Sequence, residues 1–192
     1  MIPQFNQSGY LPPFLPGSGP VDTAAVAPYK TTLIALVNRF STSDDRKKIL
    51  LGYLNYRVNL KQLGVINGFQ WIDGSFIEDI EKNRGRAPSD IDFVTFAHRP
   101  DEHKELEKWT TLVNSRGDLF FPKYSKSEYL CDAYFVDFTL PPIAIVNRTS
   151  YWFGLFSHQR DSLLWKGMLE INLSEDEGEA FRLLAAGGSN AS

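Results

Sequence analysis

FQWIDGSFIEDIEKNRGRAPSDIDFVTF, residues 69–96, is the stretch on which the reading of this chain turns. Residues 69–73, FQWID, predict a short strand, and Gly74 and Ser75 follow it at once. Residues 76–89 form a polar connection of fourteen positions that carries Lys82, Arg84 and Arg86. Residues 90–96, DIDFVTF, alternate and predict a second strand. Each part has a mechanical use. A glycine lets the backbone approach a phosphate chain, since no Cβ stands in the way. The Ser75 hydroxyl and nearby N–H groups can donate to phosphate oxygens. Asp90 and Asp92 are two positions apart on a strand, so both carboxylates leave from one face. Like charges so placed repel unless a cation lies between them. Magnesium, or manganese, suits them, because such ions take hard oxygen ligands and complete their shells with substrate phosphates. Two such ions can clamp the attacking and leaving oxygens of an in-line displacement.

Working outward, residues 29–40 predict a helix, with Leu33, Leu36, Val37 and Phe40 at helical spacing. Ser43 is the expected cap of a second helix that runs to about Leu63 and stops at Gly64. A third helix is expected from Asp101 to about Asn114. Residues 128–139, EYLCDAYFVDFT, predict a longer strand ended by Pro141 and Pro142. Residues 150–166 predict a mixed turn and helix, and 167–173 a last strand or helix end. Ser174 and Glu177 suggest a capping box for a helix through about Ala186. Residues 1–28 hold prolines at 3, 12, 13, 16, 20 and 28 and predict an extended arm, pinned by Phe5, Tyr10, Leu11 and Phe14. Residues 187–192, GGSNAS, predict a flexible tail. The expected architecture is a single α/β domain over 1–186: a small mixed sheet carrying the acids, with helices on one face.

Bulk composition narrows the classes. A chain of 192 residues suffices for one buried core. A net charge of −3 excludes a global basic field for gripping nucleic acid, while leaving room for a local basic patch. The one cysteine, Cys131, allows no disulfide within the chain and is expected to be a small buried hydrophobe. No apolar run reaches the length of a membrane span and no leader pattern opens the chain, so a cytoplasmic protein without membrane insertion is expected. His98 and His103 lack ligand partners at metal spacing, and no zinc site is expected.

Gly74, Ser75, Asp90, Ile91 and Asp92 fill the signature of the DNA polymerase beta-like nucleotidyltransferase superfamily, a Gly-Gly or Gly-Ser pair followed by Asp-hydrophobic-Asp, which this chain therefore resembles. With FNQSGYLPP, KSEYLCDAYF and KGMLEINL it looks like a small prokaryotic branch of that superfamily. The resemblance implies a nucleotidyltransferase fold and transfer of a nucleoside monophosphate from an NTP or dNTP to a hydroxyl, with pyrophosphate leaving. It also implies a third carboxylate on the next strand. Asp132 and Asp137 are the candidates, and their spacing of five sends them to opposite faces. Asp132 lies in mid-strand among apolar residues, where an unused carboxylate is costly, and is favoured; Asp137 stays open as the alternative.

The nucleotide contacts expected are Gly74, Ser75, Arg84, Arg86, Arg160 and Lys166, with Asp90, Asp92 and Asp132 both catalytic and metal-binding. Between 151 and 167 the aromatics Phe153 and Phe156 are expected in the core. In compact size and in a tail ending in Ser192, the chain is similar to the nucleotidyltransferase of Hailong-type anti-phage defence systems. That likeness implies single-stranded DNA built from the Ser192 hydroxyl. Two other readings stay open. One is an antitoxin-like transferase that adenylylates a partner protein, such as a toxin or effector encoded alongside, or tRNA. The other is a partner-binding module without catalysis. Oligomeric state is left open.

Overall fold

Side-chain caps set the starts of the first two α-helices. Ser43 Oγ accepts from the Arg46 N–H at 3.3 Å and opens helix α2, Asp44–Gln62, with Asp44 and Asp45 in the first turn. Thr32 Oγ1 accepts from the Ala35 N–H at 3.1 Å and opens α1, Leu33–Phe40. Residues 29–31 are not the first turn of that helix, as the spacing predicts, but strand β1, Tyr29–Thr31. A capping Thr32 needs an extended backbone, so the helix cannot begin before Leu33.

The computed structural model describes residues 1–17, 19 and 21–186. Its sheet has five strands in the order β1-β5-β2-β3-β4. These are β2 Gly68–Asp73, β3 Ile91–Ala97, β4 Cys131–Asp137 and β5 Leu169–Asn172, besides β1. β2 runs antiparallel to both β3 and β5, whereas β1 pairs with β5 and β3 with β4 in parallel. The protein is thus a mixed α/β fold. The connection after β2 is a 3-10 turn at Ser75–Ile77 and a short helix α3, Ile80–Arg84.

Two boundaries shift between 101 and 156. The helix expected from Asp101 to about Asn114 is present as α4, Leu106–Ser115, but starts later, after a 3-10 turn at Asp101–His103, and a short α5, Gly117–Phe120, follows it. The long strand over 128–139 is shortened, because helix α6, Pro122–Tyr129, takes its start. Leu130 closes that helix in the left-handed region, φ 57°, and β4 begins at Cys131. Pro142, expected to be a stop, occupies the first turn of α7, Pro142–Phe156, where a missing N–H is harmless.

Helices cover both faces of the sheet, not one. On the first face Ile91, Phe93, Cys131, Ala133 and Ile72 pack under α1, α2, α5, α6 and the last helix α8, Glu177–Ala186. On the second, Trp71, Val94, Phe96 and Val136 pack against Trp152 and Phe156 of α7. Phe156 is buried as expected; Phe153 is 42 % exposed, against expectation. The rule is strand alternation: odd positions of β3 and β4 face the larger core, even positions face α7.

The capping box at 174–177 does not form. Asp176 accepts the Gly178 N–H instead, at 3.1 Å. Glu177 turns inward to Arg57 Nε at 2.8 Å and Lys61 Nζ at 2.7 Å. Arg57 is fully buried, and it also donates to Gln70 Oε1 at 2.8 Å and to the Asn172 carbonyl at 3.0 Å. A buried guanidinium is tolerable only with its donors so occupied.

The N-terminal arm is pinned as expected by Phe5, tilted against Phe40, and by buried Leu11, whose carbonyl accepts the Gly167 N–H at 2.7 Å. Phe14 is half exposed and bridges to Val26 within the arm rather than entering the core. Among the described residues no helix is long and apolar enough to cross a membrane.

Candidate metal and phosphate site

Register does what the linear motif cannot. Asp73, the last residue of β2, pairs with Asp92 of β3, and Asp92 pairs with Asp132 of β4. Cross-strand partners point to the same face, about 5 Å apart along the sheet. The three carboxylates therefore form a row at one end of three neighbouring strands, on the face that carries α7. Asp90 joins it from two positions before Asp92. Asp137 leaves from the opposite face at the far end of β4. There it accepts from Arg99 Nε at 2.6 Å, from the Thr139 N–H at 2.8 Å and from the Thr139 hydroxyl at 2.7 Å. Of the two candidates for a third acid, Asp132 is the one beside Asp90 and Asp92.

Gly74 follows the row with φ 80°. A Cβ there would stand 1.7 Å from Asp92 Oδ2, so the acid fills the space that the glycine leaves. The connection is held from beneath by Arg46 of α2. Its guanidinium donates to the Phe76 carbonyl at 2.6 Å, to the Glu78 carbonyl at 2.9 Å and to both Glu81 oxygens. That anchoring answers how so polar a connection keeps one shape.

A cavity of about 270 Å³ opens over the row. Asp73, Asp90, Asp92 and Asp132 line it together with Gly74, Ser75, Arg84, Arg86, Arg160 and Lys166, which brings all the expected contacts among the described residues to one place. Lys82 does not line it. Ser192 lies outside the described residues.

The cations differ in what they are free to do. Lys166 is buried and bound, 3.0 Å from Asp73 Oδ1 and 2.8 Å from Glu78 Oε1. It is a fixed charge in the floor rather than an open phosphate hook. Arg84 rests on Asp161 at 2.6 Å in the rim, where such a pair is weak and exchangeable. Arg86 and Arg160 are exposed and pair with no acid among the described residues. Three residues were not foreseen. Asp73 and Glu78 join the acids, and Lys126 of α6 reaches Asp90 Oδ2 at 2.5 Å. The signal for Asp73 was present, an acid at the strand end directly before Gly74. Lys126 had none, since it precedes the strand expected from residue 128 and the helix that carries it, Pro122–Tyr129, is not predicted.

The electrostatics are those of acids in excess. Burial, then Asp90, Asp73 and Asp132, push Asp92 up to about 7. Burial pushes Asp73 to about 6 against the pull of Lys166. For Lys166, burial alone would lower the pKa, but Asp73 and Glu78 outweigh it and the net shift is upward. Asp73 Oδ1 is buried without an aligned hydrogen-bond donor, although Lys166 stands beside it. Among the described residues no three His, Cys, Asp or Glu side chains close into a ready cage. The donor set is all carboxylate oxygen, gathered on one open face, with one oxygen orphaned and one held by an ammonium ion. Those features fit a hard divalent cation whose shell is completed by substrate.

Comparison with known proteins adds a family but no activity. The model of a family of unknown function, DUF6932, matches residues 3–172. No curated protein and no solved structure matches the chain.

Proposed function

The chain belongs to DUF6932, a family of unknown function, and from the geometry of the site we propose that it is a metal-dependent nucleotidyltransferase. It would move a nucleoside monophosphate from an NTP or dNTP to a hydroxyl. The observation that carries this reading is the row of Asp73, Asp92 and Asp132 across three strands, with Asp90 beside it and Gly74–Ser75 at its edge.

Asp90, Asp92 and Asp132 are the residues to hold Mg²⁺ or Mn²⁺, two ions in the full reading. When bound, such ions neutralise the charge on the phosphates and acidify the attacking hydroxyl. The chain's own groups supply the rest. Gly74 and Ser75 receive the phosphates against backbone and hydroxyl donors. Arg86 and Arg160, with Arg84 once released from Asp161, balance the leaving pyrophosphate. Lys166 keeps Asp73 and Glu78 paired, so the floor of the site holds its shape when substrate leaves. Asp132, at the outer strand of the row, takes the proton of the acceptor hydroxyl. The acceptor oxygen bonds to the α-phosphorus, the α–β bridging bond breaks, and pyrophosphate departs.

The acceptor to test first is the Ser192 hydroxyl, with single-stranded DNA growing from it. Full-length protein with Mg²⁺ is incubated with each labelled NTP and dNTP and examined by intact mass. A mass gain that maps to Ser192 and is lost in Asp92→Asn is the expected result. Labelled product elsewhere, or activity that survives deletion of residues 187–192, would assign the acceptor to a partner protein or tRNA. No product with any nucleotide, alone or with cell extract, would leave a binding module and sink the enzyme reading.

A further inference from the structure

Two lysines meet the acids of the site, and they differ in what decides whether a cation can move. Lys166 is 4 % exposed and divides itself between Asp73 and Glu78. The side chain of Lys126 is 54 % exposed and holds a single acid, Asp90, at 2.5 Å. Asp73 and Glu78 lie outside the set that is to hold the metal, whereas Asp90 belongs to it. The fixed ammonium ion thus serves the floor, and the loose one sits on a metal ligand.

The Lys126 side chain springs from a rigid base. Its own carbonyl accepts the Leu130 N–H at 3.1 Å, where α6 ends on its left-handed residue. Beside it Ser125 is fully buried and donates its hydroxyl to the Cys131 carbonyl at 2.8 Å. Only the four-carbon stem and its ammonium head are free to turn. The two oxygens of Asp90 are unequal. Oδ1 accepts from the Ser89 hydroxyl at 2.9 Å, and Oδ2 carries Lys126. A magnesium ion needs its carboxylate oxygen at about 2.0–2.1 Å, so ammonium and metal compete for the place on Oδ2. The influence of Lys126 runs along the row. Its hydrogen bond to Asp90 raises its pKa against the lowering effect of burial, and the charges of Asp90, Asp132 and Asp92 raise it further.

We propose that Lys126 is an exchangeable counter-ion: it neutralises Asp90 while no divalent ion is bound, yields Oδ2 when the ion enters, and turns its freed ammonium to the phosphates of the incoming nucleotide. The proposal rests on the reading of Asp90 and Asp92 as metal ligands, and adds a residue that couples the arrival of metal to the grip on phosphate. Lys126 lines the same cavity as Arg86 and Arg160, so its release adds one more positive charge to that side. Lys166 cannot play this part, because its departure would strand two buried carboxylates. An exposed stem on a fixed helix end can move its head and leave the fold as it was.

The test compares the full chain with Lys126→Met and Lys126→Gln, which remove the charge from a side chain that is mostly in water. Mn²⁺ binding without nucleotide is read from the loss of the free-ion EPR signal. Binding of inorganic tripolyphosphate, the phosphate chain common to every nucleoside triphosphate, is then measured by calorimetry in saturating Mg²⁺. Both variants are expected to bind Mn²⁺ about tenfold more tightly than the parent, and tripolyphosphate about tenfold more weakly. Opposite shifts are the signature of exchange. A lysine with only a structural role moves neither affinity or weakens both, and one that only holds phosphate leaves Mn²⁺ binding unchanged. Variants with equal or weaker Mn²⁺ affinity overturn the proposal, and so does an unchanged affinity for tripolyphosphate. Asp92→Asn keeps the two readings apart. If the parent binds Mn²⁺ and Asp92→Asn does not, the metal reading stands even where the Lys126 variants overturn the exchange. If neither the parent nor the two variants bind Mn²⁺, both readings fall.

Discussion

Replacing Asp92 with asparagine should make the metal-free protein more stable, and the size of the effect follows from the site. An aspartate in the unfolded chain loses its proton near 3.8, whereas burial and its three neighbouring acids hold Asp92 to about 7 in the fold. Between those values the folded state keeps a proton that the unfolded state has lost, so stability falls as pH rises through that window. Three pKa units at 1.36 kcal/mol each give a ceiling of about 4 kcal/mol. Water reaches the open cavity and neighbouring charges relax, so about half of it, ~2 kcal/mol, is the expected gain for Asp92→Asn at about pH 8. Below about pH 4 the two proteins should converge, because both then carry a neutral side chain. Urea titrations in chelator at both pH values measure this. Mg²⁺ added at about a hundred times its dissociation constant should then stabilise the parent by ~2.7 kcal/mol and the variant far less. A variant less stable than its parent at the higher pH, or equal stabilisation of both by Mg²⁺, would refute the claim that Asp92 is a strained member of a cation site.

The remaining predictions separate roles that the sheet assigns to different faces. Asp132→Ala should lower nucleotide transfer by about a hundredfold or more while the urea midpoint holds. Asp137→Ala should keep transfer and lose ~1–3 kcal/mol of stability, since Arg99 is left with a vacant buried donor. Gly74→Ala forces a Cβ to 1.7 Å from Asp92 Oδ2 at a φ of 80°, so Mg²⁺-dependent stabilisation should vanish in thermal melts. Arg46→Met should uncover the Phe76 and Glu78 carbonyls. The expected cost is ~2–4 kcal/mol in urea titrations, with a rise in KM for the nucleotide as the connection loosens.

Much of the site was legible because its signals are local. Gly74 next to a strand end, and Asp90 and Asp92 two positions apart, specify a close backbone approach and a shared face through covalent geometry alone. The parity argument that parts Asp132 from Asp137 is of the same kind and agrees with the observed faces. Failures cluster where a local signal admits two structures. Pro142 can end a strand or begin a helix, and the chain does the second because α7 is needed to cover Trp71, Val94 and Phe96. Residues 128–130 read as the start of a strand, yet 122–129 fold as a helix that ends on left-handed Leu130. Ser174 and Glu177 match a cap, but the pull of the buried Arg57 guanidinium on Glu177 decides otherwise.

What the sequence determined by itself is which residues can share a face: strand periodicity puts Asp90 with Asp92, separates Asp132 from Asp137, and sets Gly74 where a side chain would obstruct. What only the tertiary structure decided is which faces meet. The pairing of Asp73 with Asp92 and of Asp92 with Asp132 depends on register between strands that lie 19 and 40 positions apart in the chain. Register is set by where whole strands bury their apolar sides, not by any neighbouring residue. The same long-range packing brings Lys126 to Asp90 and sinks Lys166 between Asp73 and Glu78.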